Sequence, residues 1–125
     1  MKKTAIAVLV LGLLASAVFA DYNGQVASRV MRDNVSALGK LRAAAGSGDH
    51  AAAGDSLMII ASGTLKLLAM DPPRGQKAEW DALIKDAVRA ALKGVDAAME
   101  KNKAGVDAAA VEIASAERKG HTTFR

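Results

Sequence analysis

Residues 76–101 read QKAEWDALIKDAVRAALKGVDAAMEK, and this stretch carries a clear helical periodicity. Its apolar side chains recur every three or four residues and form one predicted inward face: Trp80, Leu83, Ile84, Ala87, Ala91, Val95 and Ala98. Charged side chains occupy the predicted outward face: Asp81, Lys85, Arg89 and Lys93. Such a stripe is typical of a helix that buries one side against other elements.

Two similar segments precede this one. A helix is predicted over about 51–70 and ends before Pro72-Pro73, because the residue before a proline disfavours helical angles. Its predicted core face holds Leu57, Ile60, Ala61, Thr64, Leu65 and Leu68. The glycine-rich stretch 46–50 is a predicted turn in which Asp49 caps the next helix. A first helix is predicted over about 24–45, with Ala27, Val30, Met31, Val35, Leu38 and Leu41 facing inward.

A fourth helix is predicted over about 106–124, after a turn at 102–105. Its inward stripe includes Ala110, Ile113, Ala114 and His121. Alanine and leucine dominate the composition and aromatic residues are few, as in all-α proteins. Four helices of similar length with short connections predict an antiparallel up-down-up-down four-helix bundle.

The first 20 residues have the pattern of a signal peptide: a basic start at Lys2 and Lys3, an apolar run, and small residues before a cleavage point after Ala20. We therefore expect a signal peptide at 1–20 and a single bundle domain at 21–125. The most apolar later segment, 57–70, is interrupted by small and polar residues, so no membrane span is predicted once the signal peptide is removed.

Charge and cysteine content narrow the function classes. Removing Lys2 and Lys3 lowers the formal charge from +4 to +2, and basic residues do not cluster with aromatic ones, so no nucleic-acid partner is predicted. The chain has no cysteine, which excludes disulfides, thiolate metal sites and thioether attachment of a cofactor.

The predicted topology brings three less common side chains to one end of the bundle. Met31 lies roughly 10 Å along the first helix, His121 roughly 6 Å from the end of the fourth, and Trp80 about one turn into the third. Met31 and His121 are expected to face each other across a gap. The predicted lining of that gap is Val35, Leu38, Trp80, Ile84 and Phe124, with Arg125 at its mouth.

Met31 and His121 admit several interpretations. Taken singly, His121 can be a solvated residue at a helix C-terminus and Met31 a core residue. Zinc requires three or four protein ligands, and the inward positions offer only one histidine. A Ser-His-acid arrangement is weakly supported, because Ser115 does not share a helix face with His121. Imidazole and thioether together form an axial ligand set for a low-spin haem iron.

Four features carry a resemblance to a known family: Met31 in the first helix, Pro72-Pro73 after the second, Trp80 at the start of the third, and the terminal His121-x-x-Phe124-Arg125. With these, the chain over 21–125 resembles the cytochrome b562 family, periplasmic four-helix-bundle cytochromes related to cytochrome c-prime. The resemblance implies that Met31 and His121 are the metal ligands of a non-covalent haem b, with Arg125 near a propionate. It also implies a periplasmic electron carrier, not an enzyme, with a redox partner protein that the sequence does not identify.

The chain departs from the c-type relatives, which attach haem through Cys-x-x-Cys-His. The corresponding residues here are Glu117-Arg118-Lys119-Gly120-His121. Two alternatives therefore stay open. One is a haem-free periplasmic helical bundle that acts as a binding or interaction protein, derived from a cytochrome c-prime-like ancestor. The other is five-coordinate gas binding by a haem on His121 alone, if Met31 only packs. A monomer or a homodimer is compatible with either.

The predicted signal peptide is directly testable. Mass spectrometry of the protein from the envelope of an expressing cell should find Asp21 at the N-terminus, because signal peptidase cleaves after a small residue such as Ala20. An intact Met1 in a membrane fraction would show that the segment serves as an anchor.

Overall fold

The computed structural model describes residues 21–124, so both the predicted signal peptide and Arg125 lie outside the described residues. Four helices follow one another: α1 (Gly24–Ser47), α2 (His50–Leu68), α3 (Lys77–Met99) and α4 (Lys103–Phe124). Residues 21–124 contain no strand. The predicted all-α, four-helix-bundle fold is confirmed, and the helix limits lie close to those expected from the sequence.

Local backbone conformation and side-chain hydrogen bonds explain where α1 begins and ends and where α2 begins. The Asn23 side chain accepts hydrogen bonds from the backbone N–H groups of Gln25 and Val26, at 3.1 and 3.2 Å. Gly48 has a left-handed conformation (φ +73°) that closes α1. Asp49 Oδ1 accepts from the backbone N–H of Ala52 at 3.1 Å, which confirms the predicted helix cap.

Contacts between helices show that α3 runs in the opposite direction to both α2 and α4. The indole Nε1 of Trp80, near the start of α3, donates to the carbonyl oxygen of Leu67 at the end of α2 (2.9 Å). Further along α3, Gly94 lies against Leu57, which is earlier in α2. Likewise, α4 meets α3 at Gly94 with Ala109 and then, further along α4, at Leu83 with Gly120.

The core divides into two clusters along the bundle. The larger one contains the C-terminal half of α1 and is built mostly of alanine, with Leu41, Leu57, Ile60 and Val106 as its large, fully buried side chains. The smaller one surrounds Trp80 at the other end and contains Ala27, Val30, Leu67, Met70, Trp80, Ile84 and Phe124. The end at which α1 begins and α4 finishes therefore has a separate, more aromatic core.

Two residues predicted to face inward are exposed. Val35 is 60% exposed, because it lies on the flank of the α1 stripe that faces α4, and α1 and α4 contact each other less than the other neighbouring helices do. Leu65 is 52% exposed, because the α2 stripe continues through Thr64 and Leu67 on the opposite side of the helix. Both predictions of an inward-facing side chain were wrong, and in each helix the buried stripe excludes a position that helical periodicity includes.

α2 is the one helix within 21–124 that is long and apolar enough to cross a membrane, with a mean hydropathy of 1.3 over a window of which 39% is buried. In the bundle this helix packs against both α1 and α3. A core helix satisfies the same criterion of length and composition. The sequence-based expectation treats Ser62, Gly63, Thr64 and Lys66 as an interruption, but these four residues leave the mean hydropathy high.

The close approach at Gly94 gives a prediction about stability. A Cβ atom added at Gly94 would lie 2.7 Å from Ala109 Cβ and 2.9 Å from both methyl groups of the fully buried Leu57. Gly94→Ala should therefore lower the free energy of unfolding by about 1–2 kcal/mol, since overpacking outweighs the gain in helix propensity. Urea unfolding followed by circular dichroism measures the difference.

Gly39→Ala provides the matched control. Gly39 lies inside α1 with no atom within 4 Å of an added Cβ, so the substitution should raise the free energy of unfolding by about 0.5–1 kcal/mol. Equal stabilisation by both substitutions would contradict the close packing of α2, α3 and α4.

Candidate functional site

A cavity of about 280 Å³ lies at the Trp80 end of the bundle and is partly open to solvent. All four helices contribute to its wall, together with Tyr22 ahead of α1 and Pro73 between α2 and α3. Its lining consists of Tyr22, Ser28, Met31, Asn34, Thr64, Leu67, Pro73, Trp80, Leu83, Ile84, Ala87, Ile113, Ala116, Glu117, Gly120, His121 and Phe124. We refer to it as the end cavity.

Met31 and His121 both line the end cavity, and both are partly exposed. Met31 is contributed by the first half of α1, and His121 by the last turn of α4. Opposite chain directions place these two segments at the same end of the bundle. The other histidine, His50, is the first residue of α2 and does not line the cavity, so His121 is its only imidazole.

The structure places the other predicted site residues in three groups. Trp80, Ile84 and Phe124 line the end cavity with Met31 and His121. Leu38 does not, because it is buried in the larger core cluster two turns beyond Met31. Val35 is also absent from the lining, since its side chain is exposed on the flank of α1. Arg125 lies outside the described residues.

An aromatic pair forms one wall and fixes the end of α4. The rings of Trp80 and Phe124 meet edge to face, with centroids 5.1 Å apart and an interplanar angle of 87°. Gly75 adopts φ +84° in the connection between α2 and α3, and a Cβ there would lie 3.1 Å from the Phe124 ring. The connection therefore packs closely on Phe124, three residues after His121.

A polar pair forms another part of the wall. Asn34 Nδ2 donates a hydrogen bond to Thr64 Oγ1 at 2.9 Å and so links α1 to α2. Asn34 Oδ1 is buried without a hydrogen-bond partner, and the absence of a side chain at Gly63 leaves room for it, since a Cβ there would lie 3.0 Å away. Sequence reasoning missed this pair. The only sequence signal for it was one polar residue on each apolar stripe, 14 residues before and 15 residues after the turn at 48–49.

Glu117 adds a carboxylate to the cavity wall one helical turn before His121. The ion pairs found among residues 21–124 are Lys77–Asp81, Asp86–Arg89 and Lys103–Asp107, so none of them neutralises Glu117. An acidic group four residues from the imidazole lies on the same side of the helix. The site thus combines a soft donor, an imidazole and a negative charge within mostly apolar walls.

Two other kinds of site were possible from the sequence: a zinc site and a Ser-His-acid arrangement. Across the described part of the chain, no group of three or more His, Cys, Asp or Glu side chains is placed to hold a metal ion. Ser115 lines a groove between α3 and α4 and not the end cavity, so it is not assembled with His121 and Glu117. No zinc-type ligand set is present in this range, and Ser115 does not form a Ser-His-acid arrangement with His121 and Glu117.

The aromatic wall yields a testable consequence. Trp80→Phe keeps an aromatic ring but removes the Nε1 donor, so the Leu67 carbonyl keeps only backbone partners such as the Met70 N–H at 3.3 Å. The free energy of unfolding should fall by about 0.5–1.5 kcal/mol. Thermal unfolding should show the loss, and an unchanged midpoint would contradict the role given to this hydrogen bond.

The donor set of the end cavity fits a haem group: one imidazole, one thioether, and walls formed mainly by apolar and aromatic side chains. Ligand cavities in proteins generally measure about 300–1,000 Å³, so this one lies at the lower limit and would hold part of a large planar ligand. Comparison of the chain with protein-family models, with curated proteins and with solved structures finds no significant match.

Proposed function

We propose that this protein is a periplasmic electron carrier that binds haem b without a covalent bond, with Met31 and His121 as the axial ligands. The observation that carries the proposal is the placement of both side chains in the wall of one cavity, although they are 90 residues apart in sequence. His121 is the only imidazole that lines this cavity.

The two ligands have distinct roles. The imidazole of His121 offers a nitrogen lone pair, and the thioether of Met31 offers a soft sulfur donor. Haem bound between them supplies one-electron redox chemistry, and a thioether ligand raises its reduction potential. Two protein donors on the iron would leave it no position for a substrate, so the group would serve electron transfer and not catalysis.

The walls of the cavity contribute by excluding water. Leu67, Trp80, Ile84, Ile113 and Phe124 are buried apolar side chains that line it. An apolar environment disfavours net charge, so it favours the reduced, less charged state of a bound iron centre. The edge-to-face contact between Trp80 and Phe124 keeps this wall and the His121 turn in one arrangement.

Glu117 has the opposite effect on the reduction potential. Its carboxylate lines the same cavity, and a negative charge near the iron favours the oxidised, more positive state. The reduction potential in this proposal is therefore a balance between Met31 with the apolar walls, which raise it, and Glu117, which lowers it.

Retention of the cofactor depends on ligation and packing alone. The chain has no cysteine, so no thioether bond can hold the porphyrin. Gly120 precedes His121 and makes the last turn of α4 less stable, by about 1 kcal/mol relative to alanine. An alanine side chain there would lie 3.2 Å from Leu83, which is a tight contact in the cavity wall.

A second candidate function is a haem-free bundle that binds a smaller ligand. The unpaired carbonyl oxygen of Asn34 supports it, because a buried acceptor gains from a ligand that donates a hydrogen bond. A volume of about 280 Å³ also suits a molecule smaller than a porphyrin. Under either function the location remains periplasmic, on the strength of the signal-type sequence at 1–20.

Haem titration into the apo-protein tests the proposal. His121→Ala should abolish haem retention, because no covalent bond replaces the lost ligand. His50→Ala is the matched control, since His50 lies at the start of α2 and away from the end cavity, and it should bind haem like the wild type. Equal, weak binding by the wild type and His121→Ala would contradict the proposal and favour the haem-free bundle.

Met31→Ala should leave haem bound but convert it from low to high spin and lower its reduction potential, because the sixth ligand and its soft donor are lost. Met58→Ala, on the outer side of α2, should change neither property. Absorption spectra of the oxidised and reduced forms distinguish the spin states. A low-spin, unchanged spectrum for Met31→Ala would show that Met31 only packs.

A further inference from the structure

An apolar stripe runs along the side of α2 that faces away from the bundle. Met58 is 46% exposed, Ile59 50% and Leu65 52%, and the exposed Ser62 lies between them. The spacing of three to four residues places Met58, Ser62 and Leu65 on one helix face. Large apolar side chains gathered on one face of a helix mark a surface that another molecule covers.

Charged groups bracket this stripe. Asp55 and Lys66 are the only charged side chains of α2, and both are exposed. Neither takes part in an ion pair among the described residues. They are 11 residues apart, which corresponds to roughly 16 Å along the helix, and the midpoint between them falls inside the apolar stripe.

We propose that this face of α2 packs antiparallel against the same face of α2 in a second copy of the chain. A two-fold axis between residues 60 and 61, inside the stripe, reverses the helix direction. It therefore brings Asp55 of each copy opposite Lys66 of the other, and it places Met58 opposite residue 63, two residues from Leu65. An isologous interface requires such a self-complementary patch.

The adjacent groove between α1 and α2 also combines apolar side chains with charges of both signs. Arg29 and Asp33 from α1 line it together with Met58, Ile59 and Lys66. Both signs of charge again occur on one surface, as a self-complementary contact needs. A membrane surface instead selects an excess of basic residues around an apolar face, and this face has no such excess.

The interface is independent of the end cavity. The α2 residues that line the cavity, Thr64 and Leu67, are buried on the inner side of the helix, and the stripe occupies the outer side. Haem binding and dimerisation can therefore succeed or fail separately.

Exchanging the charges of Asp55 and Lys66 tests the antiparallel pairing of the two α2 helices. Sedimentation equilibrium of the full-length protein as purified measures the dimer dissociation constant for the wild type, Asp55→Lys, Lys66→Asp and the double variant. Each single variant places like charges opposite each other twice, so the dissociation constant should rise about tenfold. The double variant should restore it. Glu112→Lys, an exposed acidic position on α4, should leave it unchanged.

An apolar pair of variants tests the stripe itself. Met58→Ser should raise the dissociation constant about tenfold or more, whereas Met99→Ser, at a more exposed methionine on α3 (78%), should not. The proposal is overturned if the wild type is monomeric at about 100 µM, if the double charge variant stays as weak as the single ones, or if the protein binds vesicles through Met58 while remaining monomeric.

Discussion

The hydrogen bond from Trp80 Nε1 to the carbonyl oxygen of Leu67 is the contact on which the end of the bundle depends. It ties the start of α3 to the end of α2, and the same indole ring meets Phe124 edge to face near the end of α4. One side chain thus holds three helices at the level of the end cavity. His121 lies one turn before Phe124. The position of the imidazole therefore follows from the contact of Phe124 with Trp80 and from the close packing of Gly75 on the Phe124 ring.

The side of the bundle between α1 and α4 is more open than the sides formed by the other neighbouring helices. α1 and α4 contact each other less than the other neighbouring helices do, and Met31 of α1 and His121 of α4 both line the end cavity. Val35, one turn beyond Met31 on α1, is exposed. The packing of small residues such as Gly94 against Ala109 brings α3 and α4 together, and among the described glycines none makes such a contact between α1 and α4. The proposed haem site uses the space that this asymmetry leaves.

Helical periodicity, the Asp49 cap and the proline pair were sufficient to predict four helices and the end at which Met31, Trp80 and His121 gather. The same reasoning failed where a position lay at the edge of a stripe, as at Val35 and Leu65, because periodicity does not reveal how closely the neighbouring helix approaches. It also missed the bond between Asn34 and Thr64, which depends on the relative register of two helices. Register is a property of packing and is not encoded in the pattern of a single segment.

X-ray absorption at the iron edge of the haem-loaded protein tests the central proposal most directly. The chain contains no cysteine, so a sulfur atom in the first coordination shell of the iron can only belong to a methionine. The account predicts one sulfur neighbour in the wild type, and none in a variant that lacks the Met31 thioether. A first shell of nitrogen alone in the wild type, or a protein that takes up no haem, would contradict it.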